Sequence, residues 1–233
     1  HTANRRQRQM CIRDRGNGGT QGEAYGYKEG SRAAVFNGSS SKIALPSLGS
    51  GFTGSSSRSV SAWVKITSTP SGSIAIFNSG SAATLQSFGY FIGTSRQVII
   101  SYYNRNWETS ETISLDTWNH ILFTYNGGVV ETSSNSKIYI NGTPATLGST
   151  TGGATGSINT PDTNHNIGFY GPTNPLYFNG SIDQVRIFSK ALSSDEVSKL
   201  YGNGAGEIAC AYTSTTDNIC LLYTSDAADD SQC

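Results

Sequence analysis

Two clusters of aromatic and amide-bearing residues hold the chemistry of this sequence. Tyr102, Tyr103 and Trp107 surround Asn104-Arg105-Asn106, and Tyr170 and Tyr177 flank Gly171-Pro172-Thr173-Asn174-Pro175. Flat aromatic faces stack on the C–H faces of sugar rings, and Asn and Arg side chains supply donors for sugar hydroxyls. The same rings could instead fill a core or cover its edge, because aromatic side chains mostly serve burial. Both readings stand at this stage.

Asp183 is the most informative carboxylate. On a strand, positions 183, 185 and 187 share a face, and Val185 and Ile187 are core-type residues, so Asp183 is expected to point inward. A buried carboxylate needs hydrogen-bond donors or a cation to offset its lost solvation. One partner set is backbone N–H groups in the turn after the first strand.

The segments that must position these groups are short. Apolar stretches bounded by Gly, Asn, Ser or Pro predict strands near Ala33–Phe36, Lys42–Leu45, Ser59–Ile66, Ser73–Phe77, Phe88–Ile92 and Gln97–Tyr103. Further strands are predicted near Trp118–Tyr125, Lys137–Ile140, Asn166–Tyr170 and Ser181–Ser189. Many short strands separated by turn signals imply a two-sheet antiparallel β-sandwich of the jelly-roll kind rather than alternating β and α units. Asn-Gly marks turns at 37–38, 126–127, 141–142, 179–180 and 203–204, with Asn141-Gly142 the strongest hairpin signal. Three of these also match the glycosylation sequon, at Asn37, Asn141 and Asn179, although turn geometry alone accounts for them. Ser193-Ser194-Asp195-Glu196 is a capping box opening one short helix, with Val197, Leu200 and Tyr201 on a face and Gly202 as its stop, expected as a lid on one edge of the sandwich. The stretches 49–57 and 148–156 read as Ser/Thr/Gly-rich loops.

Both ends stand apart. Arg5 to Arg15 can be encoded by a DNA string whose reverse complement, read in another frame, encodes Cys220 to Asp229. Unrelated protein segments are not inverted complements of each other, and the string resembles a library adapter, so both segments are set aside as one would a fusion scar. The organisation is then 1–15 adapter, 16–31 a lead-in, 32–201 the domain, 202–219 a linker or the start of a next unit, and 220–233 adapter. Without the suspect arginines and aspartates, the 16 basic and 16 acidic residues fall to 11 and 12. No basic face remains for nucleic acid, and no run is long enough for membrane insertion. Of the four cysteines, Cys11, Cys220 and Cys233 lie in or beyond those segments, which leaves Cys210 with no disulfide readable. About 190 residues remain, enough for one cored domain.

The runs Ala34 to Ser39, Val60 to Lys65, Asp116 to Ile121, Ile138 to Gly142, Phe178 to Phe188 and Ala191 to Tyr201 come in an order that resembles the laminin G-like jelly-roll domains of the concanavalin A-like lectin/glucanase superfamily. The wording is also similar to domains of marine phage tail or virion proteins and bacterial surface proteins. The resemblance implies the jelly roll and a second option for Asp183: a structural Ca²⁺ site like that of some relatives. Such an ion takes about six to eight oxygens, so Asn37 and Gly38 carbonyls and Glu29 would have to contribute.

A glucanase of this superfamily would need paired carboxylates on one strand face. Glu-x-Asp-x-x-Glu is absent, and Glu108 and Glu111 are three apart, on opposite faces of a strand. Asp116 lacks a partner, and His120 and His165 lack a third metal ligand at suitable spacing. Sequence order leaves Ser-His-Asp chemistry open, but no nucleophile elbow is present. The expectation is therefore not an enzyme. It is a glycan-binding module, extracellular or on a virion surface, carried with other domains in a larger protein. The alternative is a structural or protein-interaction domain without a small ligand.

Overall fold

The computed structural model describes residues 33–131, 133–171 and 174–202, with the two short strands Gln21–Gly22 and Leu221–Tyr223. Two antiparallel sheets face each other. The first runs β1 (Gln21–Gly22), β2 (Ala33–Asn37), β16 (Asn179–Phe188), β4 (Arg58–Lys65), β9 (Asn119–Tyr125), β10 (Ser136–Ile140) and β11 (Thr143–Pro144), and β17 (Leu221–Tyr223) also pairs with β16. The second runs β12 (Leu147–Thr151), β8 (Asn106–Thr112), β7 (Gln97–Ser101), β6 (Ser87–Ile92), β5 (Ile74–Gly80), β13 (Asn166–Ile167) and β3 (Ile43–Ala44). A separate hairpin joins β14 (Phe169–Tyr170) to β15 (Leu176–Tyr177). This is the β-sandwich expected from the spacing of the apolar runs.

Alternation builds the interior. In β4, Val60, Ala62 and Val64 join the core, as do Ile121, Phe123 and Tyr125 of the neighbouring β9. Across the sandwich, Phe88 stacks on Phe123 with ring centroids 4.5 Å apart. Arg58 is fully buried, donating to the carbonyls of Phe52, Thr53, Gly54 and Ser56, with its guanidinium over the rings of Phe52 and Phe88. It pins the loop 49–57 onto the sandwich, an anchor invisible in a Ser/Gly-rich stretch.

A bulge in β16 overturns the expected direction of Asp183. The register with β4 shifts between Asp183 and Arg186, and Gln184 takes φ +47°. The extra residue changes the phase of the alternation. Ile182, Val185 and Ile187 face the core, while Asp183 pairs with Trp63 on the opposite face of the sheet.

Helix α1 (Ser194–Tyr201) has the predicted capping box, with Ser193 and Glu196 bonded reciprocally, and it ends at left-handed Gly202. It covers the outer face of the first sheet rather than an edge. There Val197 and Leu192 pack with Leu122, Tyr139 and Phe188. No helix among the described residues is long and apolar enough to cross a membrane.

Asn141-Gly142 forms the expected hairpin turn, both residues at positive φ. Asn179-Gly180 does not turn; it opens β16, where a Cβ on Gly180 would come within 2.3 Å of the Lys65 carbonyl oxygen. Asn203-Gly204 lies outside the described residues, as do Arg32, Glu29, all four cysteines and most of the terminal segments. Two polar strands escaped the sequence reading: β8, and β12 within the stretch read as a loop at 148–156. Within the segment that reads as adapter, Leu221–Tyr223 pairs with Ile187, Arg186 and Val185 along the part of β16 that β2 leaves open.

Candidate ligand-binding site

The first aromatic cluster divides between core and surface. Tyr103 and Asn104 both take positive φ in the tight turn between β7 and β8. Tyr102 therefore points inward, fully buried, its hydroxyl 2.5 Å from that of Ser136. Trp107 is also core, with Nε1 donating to the Val130 carbonyl at 3.1 Å. Neither ring can meet a ligand, which corrects that expectation. Arg105 donates from Nε to the Ala154 carbonyl and ties two loops together. Tyr103 is 37 % exposed.

The second pair is split by the β14–β15 hairpin. Phe169 opposes Tyr177 and Tyr170 opposes Leu176, so the two tyrosine rings leave on opposite sides. Tyr170 packs edge-on against Phe91 of the second sheet at 5.4 Å. Burial first, and then nearby Tyr103, raises its hydroxyl above the ordinary tyrosine value. Tyr177 rests on Phe169, centroids 4.9 Å apart, and lines a cleft of about 400 Å³ at one end of the sandwich.

Three chain segments make that cleft. Its base is the junction of β2 and β16, where Asn37 opposes Asn179 and the Gly38 N–H donates to the Phe178 carbonyl at 2.9 Å. A Cβ on Gly38 would press against Asn179 at 3.0 Å, and φ +74° also favours glycine there. The Asn37 side chain accepts N–H groups of Ser39, Ser40 and Ser41, which holds the turn open beside the cleft. The loop from β4 to β5 forms one wall with Pro70 and several hydroxyl residues; Pro175, Leu176 and Tyr177 form the other. The hydroxyls of Ser68, Thr69, Ser71, Ser73 and Tyr177 and the amide of Asn179 bond no group among the described residues. A flat ring beside free hydroxyl and amide groups can bind a polyhydroxylated ligand. Sequence reading found Tyr177, Asn37 and Gly38 but assigned them to two different sites. It missed Asn179 and the 68–73 loop, whose only signal was its Ser/Thr/Pro composition.

Of the expected calcium ligands, Glu29 lies outside the described residues, and Asp183 is set apart from Asn37 and Gly38. Asp183 lies four residues along β16 from Asn179, the partner of Asn37, which is roughly 13 Å of strand. It also faces away from the core, among Trp63, His120 and Arg186. Its Oδ1 accepts the Gln184 N–H at 2.8 Å, and Oδ2 has no partner among the described residues. Burial raises its carboxyl to about 7, against the pull of the Gln184 N–H and Arg186. Among the described residues no three His, Cys, Asp or Glu side chains form a metal-holding group.

A serine, a histidine and an aspartate do meet elsewhere. The Ser79 hydroxyl lies 2.9 Å from His165 Nδ1, and His165 Nε2 lies 2.7 Å from Asp162. Burial lowers the His165 pKa against the effect of Asp162, while the Ser47 hydroxyl chiefly holds Asp162 below its ordinary range. Ser79 is wholly buried within β5, so no substrate carbonyl can reach its oxygen. The chain of bonds ties the loop before β13 to the second sheet.

The laminin G-type profile of the concanavalin A-like lectin/glucanases superfamily matches residues 37–198. Among solved structures, the chain is similar to a Bacteroides ovatus protein to which carbohydrate binding is provisionally ascribed, with TM-score 0.59 and 19 % identity over 85 % of this chain and 52 % of that one. A Trypanosoma rangeli sialidase mutant displaying trans-sialidase activity gives TM-score 0.52 and 16 % identity over 82 % of this chain and 30 % of that one. Domain 4 of an extracellular arabinanase from Geobacillus stearothermophilus, in complex with arabinotriose, gives 0.48 and 24 % over 78 % and 81 %. The chain thus spans about half of the Bacteroides protein and under a third of the sialidase. No curated protein matches it.

Proposed function

The chain belongs to the concanavalin A-like lectin/glucanases superfamily, and from that premise we propose that it is a non-catalytic glycan-recognition module whose binding site is the end cleft. The observation that carries the proposal is Tyr177, braced by Phe169 beside the unengaged Asn179 amide and the hydroxyls of the 68–73 loop. Carbohydrate binding ascribed to the Bacteroides protein of the same architecture supports it. Glycoside hydrolysis needs two carboxyl groups across the scissile bond, and no carboxylate among the described residues lines the cleft. Tyr103 and Val129 are the only large hydrophobic residues exposed among the described residues, which disfavours an apolar protein interface. The low-charge, Ser/Thr/Gly-rich composition suits a module displayed outside the cell or on a virion.

The test is a glycan array followed by calorimetry with the best ligand, for the wild type and Tyr177→Ala. Saturable binding weakened more than about tenfold by the substitution is expected. Unchanged affinity in Tyr177→Ala would move the site away from the cleft.

A further inference from the structure

Among the described residues, the lining of the cleft carries no formal charge. The thirteen described residues around it are Asn, Ser, Thr, Gly, Pro, Ile, Leu or Tyr. Lys42 is not in the lining, and its ammonium lies 4.6 Å from the centre of the Phe169 ring on which Tyr177 rests. Sialic acids, uronic acids and sulfated sugars bring a carboxylate or sulfate into their site. An anion moved from water into a cleft without a cationic partner loses solvation that hydroxyl and amide groups only partly replace. The available groups match neutral sugars instead: each hydroxyl can donate and accept, as sugar hydroxyls do, and the Tyr177 ring offers an apolar face. The volume, about 400 Å³, sits near the lower end for small-molecule sites and holds roughly one or two sugar rings.

Resting on the glycan reading above, we infer that the end cleft selects short, neutral saccharides and rejects sialylated, uronic and sulfated ones.

The whole chain is screened on an array carrying neutral, sialylated, uronic and sulfated glycans, and the best ligand is titrated from about 0.05 to about 0.5 M NaCl. Tyr177→Ala, Asn179→Ala and Lys42→Gln are titrated alongside, each checked for wild-type thermal unfolding. Asn179 is exposed and its side chain makes no hydrogen bond among the described residues, so its variant guards against a folding defect in Tyr177→Ala. The expected result is neutral hits alone, affinity changing less than about twofold with salt, a loss of about tenfold or more in Tyr177→Ala and Asn179→Ala, and no change in Lys42→Gln. Acidic glycans that bind through Tyr177, weaken with salt and depend on Lys42 would overturn the selectivity and leave the cleft as the site. Binding that ignores both Tyr177→Ala and Asn179→Ala, or an array with no hits, would overturn the site or the glycan reading itself.

Discussion

Tyr201, the last residue of helix α1, lies stacked on Trp63 of β4, ring centroids 5.8 Å apart and planes 24° apart. The same ring lies 5.9 Å from His120. One phenol thus closes a pocket of buried polar groups on the outer face of the first sheet, and the helix serves to hold it there. Gly142 of the β10–β11 turn packs under the ring, where a Cβ would come within 2.7 Å.

Tyr201→Ala is expected to lower stability by about 1–3 kcal/mol through lost stacking and an opened cavity. Tryptophan emission should shift to the red as water reaches Trp63. Gly142→Ala, which adds bulk under the ring at φ +76°, should move the unfolding midpoint the same way. Both variants unfolding like the wild type with unchanged emission would remove the helix from this role.

Asp183 and His120 flank Trp63 on that outer face and oppose each other in pH dependence. The folded-state pKa of Asp183 is raised to about 7, chiefly by burial, so its contribution to stability is present below the unfolded carboxyl value and is lost as pH rises through 7. That of His120 is lowered to about 3, by burial and then by Arg186, so its contribution is present above the unfolded imidazole value and is lost as pH falls below it. Between about pH 4 and 6.5 the two slopes cancel. His120→Phe should therefore lose stability relative to the wild type as pH rises from about 4 to 6.5, and Asp183→Asn should lose it as pH falls from about 6.5 to 4. Asp183→Asn should also be the more stable protein at pH 8, by on the order of 1–3 kcal/mol. Urea midpoints across this range check both signs, and parallel profiles for the two variants would refute the pairing.

Arg58→Met is expected to cost about 3–5 kcal/mol, because it strips buried carbonyls of a forked donor no apolar chain replaces. Arg58→Lys should recover only a part, since one ammonium cannot span Phe52, Thr53, Gly54 and Ser56. A midpoint within about 1 kcal/mol of the wild type for either would show the loop to be held otherwise.

Trp107→Ala and Tyr177→Ala should separate folding from recognition. Trp107 fills the core, so its truncation should cost about 3–5 kcal/mol whatever the ligand. Tyr177 is half-buried at a cleft, so its truncation should cost about 1 kcal/mol and weaken glycan binding. Differential scanning calorimetry with and without ligand distinguishes these, and the reverse ranking of stabilities would contradict the assignment.

The sandwich was legible because its signals are local. Apolar runs of strand length, Asn141-Gly142 and the Ser193–Glu196 box each act within a few residues, and each lies where its chemistry directs. The polar strands β8 and β12 were not legible, since threonines and serines in a strand look like a loop until a neighbour pairs with them. Tyr102 and Tyr103 show the same limit at the level of a site. They are adjacent and of one type, but one left-handed turn sends the first to the core and leaves the second at the surface.

The residue order alone determined the all-β class, the helix and its caps, and the supply of aromatic and amide groups from which a site could be made. Only the tertiary structure decided that Asp183 turns away from the core, because one bulge at Gln184 reverses the phase of every later residue in β16. Only it placed Tyr177, Asn37, Gly38 and Asn179 around a single cleft, because their meeting depends on the pairing of β2 with β16 and β14 with β15. Pairings between distant segments follow from the burial of whole sheets, and no local pattern encodes them.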